Sequence, residues 1–155
     1  MTAAAAPEGA EAIRRPATLE NLPALVEFVR DACARSGADA SSCFALRLAV
    51  EEVCMNLMRH AYRGGEPGPI EVAVSGAPGR VVVTVTDFAP PFSPDEAPAP
   101  DVDASWEERR IGGLGWHLVR SVVDEVRYEA DAAAGNRLTL VKRTGGGSPP
   151  GEGGN

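Results

Sequence analysis

Glu52 and Asn56 stand four residues apart in the run Ala49-Val50-Glu51-Glu52-Val53-Cys54-Met55-Asn56-Leu57-Met58-Arg59-His60-Ala61-Tyr62. At 3.6 residues per turn, positions four apart lie one above the other, so Glu52, Asn56 and His60 form a slowly turning polar stripe. A carboxylate and a carboxamide stacked in this way can hold a divalent metal and its water through oxygen, with the carboxylate as proton acceptor. Taken alone, the same pattern also describes a solvated helix face.

Three further groups could share in chemistry. Asp87 closes the strongest strand pattern and opens Asp-Phe-Ala-Pro-Pro-Phe. A carboxylate just past a strand end can accept a hydrogen bond from a ligand amine, and it can equally initiate a turn before prolines. Gly112-Gly113-Leu114-Gly115 precedes a helical pattern, so free backbone N–H groups at the positive helix end suit a phosphate. A glycine cluster also serves as a plain turn. Arg110, two residues upstream, reads either as a mobile cation for a terminal phosphate or as a solvated charge.

The elements that must position these groups follow from periodicity. Leu22, Leu25, Val26, Val29, Ala32 and Cys33 recur at helical spacing, with Thr18 or Asn21 as N-cap, Pro23 in the first turn and Gly37 at the end. A second helix spans about Ala40 to Tyr62, with Leu46, Val50, Val53, Leu57 and Ala61 on the side roughly opposite the polar stripe. A short strand fits near Ala12 to Pro16. Ile70, Val72 and Val74 alternate, Gly76-Ala77-Pro78-Gly79 turns the chain, and Arg80 to Thr86 reads as a buried strand, together an antiparallel hairpin. Five prolines between Ala89 and Pro100 exclude helix or sheet interior and predict a long loop. Leu114, Leu118, Val122 and Val126 mark a third helix, and strands near Val126–Ala130 and Arg137–Lys142 close the domain. Helices and strands segregated into two layers predict an α+β fold.

The chain has 155 residues, enough for one domain with a single core. The expected organisation is a disordered stretch over 1–12, a domain over 13–143, and a disordered Gly/Pro-rich tail over 144–155. With 15 basic and 22 acidic residues the net charge is −7, which argues against direct nucleic-acid binding and against an anionic membrane surface. No apolar run reaches the ~18–20 residues of a spanning helix, and the N-terminus lacks signal-peptide features. Cys33, Cys43 and Cys54 have no C-x-x-C spacing and read as reduced, buried thiols of a cytoplasmic protein.

The joint occurrence of Glu-Glu-x-x-x-Asn-x-x-x-His-Ala-Tyr and Arg-x-Gly-Gly-Leu-Gly, with Asp87 between them, resembles the ATP-binding domain shared by gyrase, the chaperone Hsp90, sensor histidine kinases and the mismatch-repair MutL proteins. Within that superfamily the chain looks most like the free-standing bacterial anti-sigma factors that are also serine kinases, the switch proteins of general-stress and sporulation pathways. The resemblance covers about Arg15 to Arg143. It implies a Bergerat-type fold, a two-layer sandwich whose mixed, mainly antiparallel sheet is covered on one face by about three helices. It implies ATP and magnesium as cofactors, and as partners a sigma factor, an anti-anti-sigma protein of the STAS type, and a second copy in a homodimer. Carried over residue by residue, it makes Glu52 the general base and Asn56 the magnesium ligand, with Arg59 near a phosphate. It gives Asp87 the adenine amino group, Gly113, Leu114 and Gly115 the phosphate side, and Arg110 the terminal phosphate. The family carries glycine where this chain has Ala89, and threonine where it has Asn136. A nucleotide-binding partner-switch module without kinase activity is the alternative that Ala89 leaves open.

Overall fold

The computed structural model describes residues 9–60, 62, 66–89, 113–131 and 135–144. The first strand, β1 (Glu11–Pro16), leads through a 3-10 turn (Leu19–Asn21) into helix α1 (Leu22–Arg35). Leu25, Val26, Val29, Ala32 and Cys33 are its buried residues, the stripe that the spacing predicts. Pro23 sits in the first turn, where its missing N–H costs no helical bond. Asn21 stands at the N-cap position but makes no side-chain cap, and neither does Thr18 before the 3-10 turn. The Asn21 amide instead donates to Thr18 Oγ1 and to the Pro16 carbonyl, at 2.8 and 3.0 Å, tying the helix entry to the end of β1. Gly37, at φ +90°, adopts the left-handed conformation that ends such a helix.

Helix α2 (Ala40–His60) opens with a cap that the periodicity does not reveal. Asp39 accepts the Ser42 N–H at 3.2 Å and the Ser42 hydroxyl at 2.7 Å. Four of the predicted core positions on α2, Leu46, Val50, Val53 and Leu57, are buried, and the fifth, Ala61, lies outside the described residues. The hairpin of β2 (Pro69–Ala77) and β3 (Arg80–Asp87) turns through Pro78 and Gly79. Proline fixes the first turn residue and Gly79 takes φ +75° at the second, the requirement of a type II turn. Helix α3 (Gly113–Val122) then precedes β4 (Glu125–Asp131) and β5 (Gly135–Arg143).

The five described strands form one sheet in the order β1-β2-β3-β5-β4, and each described pairing is antiparallel. Register places Val72, Val85 and Leu138 in one rung and Val74, Val83 and Leu140 in another. All six are buried against α1 and α2, so both helices lie on that face of the sheet, and α3 packs against α2. On the other face Arg14, Glu71, Thr86 and Arg137 follow one another across the strands. The result is the two-layer α+β sandwich expected from the pattern.

Cys33, Cys43 and Cys54 are buried and free. Burial pushes the Cys33 and Cys54 thiols up to about 12, so neither holds much thiolate at neutral pH. The Pro-rich stretch 90–100, Arg110 and the terminal stretches 1–8 and 145–155 fall outside the described residues.

Two outcomes follow. Leu46→Ala, at a position with 0 % exposure, should destabilise the fold by about 2–5 kcal/mol in denaturant melts. Folded protein at pH 7 should leave Cys33 and Cys54 unlabelled by a thiol reagent, with both modified once denaturant is added.

Candidate functional site

The polar stripe of α2 is held by its apolar neighbours. Val53, Cys54 and Leu57 are buried, which fixes the rotation of the helix and leaves Glu52 half-buried beside Asn56, itself only 9 % exposed. Asn56 Nδ2 donates to Glu52 Oε2 at 3.2 Å and to the Glu52 backbone carbonyl at 3.1 Å. Two acceptors on one side define the nitrogen end of the amide and turn Oδ1 away from Glu52. Sequence spacing predicts this stacking; the direction of the amide is new. One turn later Arg59 is exposed, with Nη2 at 3.6 Å from Met55 Sδ. The side chain of His60 is outside the described residues.

The second cluster forms where the middle strand ends. Register sets Ile70, Asp87 and Asn136 in one rung, so Asp87 and Asn136 share the helix-facing side of neighbouring strands. Asp87 is 2 % exposed and Asn136 1 %. Asp87 Oδ1 accepts the Ala89 N–H at 3.1 Å, closing an Asx turn, and accepts Asn136 Nδ2 at 2.9 Å. The same Nδ2 also donates to the Ala89 carbonyl at 3.0 Å. Both donations orient the Asn136 amide, and its Oδ1 is buried with no hydrogen-bond partner among the described residues. An orphaned buried acceptor costs roughly 1–3 kcal/mol, so a donor from a ligand or a water fits there.

Ala89, where a glycine is the family habit, needs no glycine conformation, since no described non-glycine residue has positive φ. Gly135 does: it has φ +97°, and a Cβ would lie 2.9 Å from the Asp87 carbonyl oxygen and 3.0 Å from the Phe88 ring. The Phe88 ring in turn carries the Arg14 guanidinium 4.8 Å from its centroid. Tyr62 reaches the same corner from beyond α2, an arrangement that residue spacing does not reveal. Its hydroxyl accepts the Phe88 N–H at 2.8 Å and donates to the Pro69 carbonyl at 2.7 Å.

Gly113, Leu114 and Gly115 form the first turn of α3, whose leading N–H groups have no partner within the helix. Arg110 lies outside the described residues. Among the described residues no group of three His, Cys, Asp or Glu side chains could hold a metal. An open groove of about 440 Å3, lined by Glu11, Arg35, Ser36, Gly76 and Pro78 among others, lies at the far end of β2 from Asp87. Its charged residues, Arg35 and Glu11, are paired with each other.

Comparison with known proteins meets this geometry. The family profile of the histidine kinase-like ATPase domain matches residues 15–142. The chain belongs to this family. Serine-protein kinase RsbW of Listeria monocytogenes is 31% identical over 121 residues, covering 71% of this chain and 77% of the relative. Serine/threonine-protein kinase BtrW of Bordetella bronchiseptica is 26% identical over 101 residues, covering 65% and 70%. This histidine kinase-like ATPase domain therefore sits in the branch of serine-protein kinases. The crystal structure of the RsbU and RsbW domains of a Mycobacterium tuberculosis protein superposes with a TM-score of 0.61 over 89% of this chain and 32% of that one. At 22% identity that likeness speaks for the fold. Among the described residues no helix is long and apolar enough to cross a membrane.

Asn136→Asp tests the corner directly. The introduced carboxyl, buried and close to a second carboxylate, would resist ionisation, so its own folded-state pKa would lie above the unfolded value. Such a group stabilises below its unfolded pKa and loses that stability as pH rises. The deficit in melting temperature against wild type should therefore widen between about pH 4 and pH 7, and a deficit independent of pH would count against the contact.

Proposed function

We propose that this domain is an anti-sigma factor that sequesters a sigma factor and transfers the terminal phosphoryl group of ATP, with magnesium, to a serine of a STAS-type anti-anti-sigma protein. The observation that carries the reading is the hydrogen-bonded pair of Glu52 and Asn56, a base and a metal-binding oxygen fixed against each other on one helix. Phosphoryl transfer asks for positioned charge and a base more than for covalent catalysis.

Each residue then has a task. Asn56 Oδ1 would hold the metal, a role that suits magnesium, which commonly takes one or two protein oxygens together with substrate phosphates and water. Magnesium, when bound, supplies neutralisation of phosphate charge. Glu52 accepts the proton of the attacking serine hydroxyl as its oxygen bonds to phosphorus and ADP leaves with the electrons of the broken P–O bond. Asp87 receives the adenine amino group, and the orphaned Asn136 Oδ1 meets a second N–H or a water beside it. Ala89 frames this corner through its backbone. Gly113, Leu114 and Gly115 offer N–H groups to the phosphates, Arg59 a cation near them, and Arg110 a cation for the terminal phosphate. Relatives named as serine-protein kinases support transfer to serine; the sigma factor, the STAS-type antagonist, a homodimer and a cytoplasmic setting belong to the proposal.

Ala89 is unstrained, but its added methyl beside the base is what favours the alternative, a nucleotide-binding partner-switch module without kinase activity. Retention of Glu52 favours the kinase.

With ATP, magnesium and the antagonist, Glu52→Ala should slow serine phosphorylation by about 10²–10⁴-fold and leave ATP affinity nearly unchanged. Asn56→Ala should weaken magnesium-dependent ATP binding itself. Wild-type transfer by Glu52→Ala, read by phosphosite mapping, would contradict the assigned base. In a pull-down, Glu52→Ala should still capture its sigma factor with ATP or ADP. Failure of wild-type protein to bind any sigma factor of the source cell would remove the anti-sigma part.

A further inference from the structure

Two clusters lie on separate elements, the Glu52–Asn56 pair inside α2 and the Asp87–Asn136 corner at the ends of β3 and β5. Tyr62, two residues past the end of α2, is the described side chain that hydrogen-bonds across to that corner. Resting on the ATP-dependent reading above, we propose that Tyr62 is a positioning residue for base recognition: its hydroxyl sets the place of the Asp87 corner relative to α2.

Two hydrogen bonds of the hydroxyl are short and directional. Its proton goes to the Pro69 carbonyl at 2.7 Å, and its oxygen receives the Phe88 N–H at 2.8 Å. Pro69 begins β2 and Phe88 follows the last residue of β3, so one oxygen clamps both strands of the hairpin at their open end. Ile70 and Asp87 pair directly inside that clamp. The ring has a place cleared for it. A Cβ on Gly68 would stand 2.5 Å from Tyr62 Cε1 and 2.9 Å from its hydroxyl oxygen, so only glycine lets the ring lie there.

The corner has little other means of correcting an error. Gly135 packs under the Asp87 carbonyl and the Phe88 ring with no room for a methyl, so a shift of Phe88 is passed to Asp87. The Asx turn then passes it to Ala89, whose N–H and carbonyl are the partners of Asp87 and Asn136. Recognition by hydrogen bonds is sensitive to such displacement, whereas contacts to a flexible triphosphate are not. Tyr62 therefore acts on base selectivity, through Phe88 and Asp87, without touching the nucleotide.

Calorimetric titration of Tyr62→Phe with ATP and GTP tests this. The ring stays on Gly68 and only the hydroxyl is lost. The Kd for ATP should rise roughly five- to tenfold, as for one lost hydrogen bond in a recognition site, while that for GTP changes less than about twofold. In transfer assays the KM for ATP should rise in step while kcat falls less than about twofold. Gly68→Ala, which displaces the ring and keeps the hydroxyl, should reduce the ATP preference in the same direction. In an Asp87→Asn background, Tyr62→Phe should add almost nothing. A lower melting temperature with an unchanged ATP-to-GTP ratio would show a merely structural tyrosine and overturn the inference, as would equal weakening of both nucleotides. If wild-type protein binds no ATP, the functional reading falls and this inference falls with it. If wild-type binds ATP and Tyr62→Phe matches it, the inference alone is lost.

Discussion

A carboxyl group only 2 % exposed at the end of the middle strand must be surrounded by donors, because burial without them is costly. Asp87 finds them in the Ala89 N–H and the Asn136 amide. Much of the domain's odd chemistry follows from meeting that need. The chain folds back on itself at residues 87–89, Gly135 gives up its side chain so that β5 can approach, and Asn136 spends its amide nitrogen and leaves its oxygen without a partner. A corner that keeps an orphaned acceptor beside a buried carboxyl group is poor design for stability alone. It is good design for a ligand that brings donors.

Helix α2 answers a different constraint. One side must fill the core against the sheet, and the other must hold two polar groups at a fixed distance. A helix meets both, since its apolar stripe sets the rotation at which Glu52 and Asn56 are presented. The hydrogen bond between them then settles which atom of the amide stays available. The placement of the polar pair derives from core packing, so a core defect in α2 would also disturb it.

Much of this was legible in the residues. Apolar spacing located both long helices, alternation located the β2–β3 hairpin, and the Glu–Asn interval identified the polar pair, because each signal lies within one element. What escaped reading depends on chain segments far apart. The Asp87–Asn136 contact spans 49 positions and exists only once β3 and β5 pair in register. Tyr62 looked like the end of a helix motif, and its hydrogen bond to Phe88 spans 26 positions. Asn21 does occupy the N-cap position of α1, but its amide is as able to tie down the preceding strand as to cap the helix, and tertiary context chose the first.

If the corner exists to meet an amino group, a nucleotide lacking that group should be penalised most. Calorimetric titration of the wild-type protein with ATP and with the triphosphate of purine riboside, which differs only in having hydrogen in place of the 6-amino group, measures this. The account predicts a loss of roughly tenfold or more for the analogue, since the hydrogen bond from the amino group into this buried corner would be lost and the Asn136 oxygen beside it would stay unmatched. Equal affinities would contradict it.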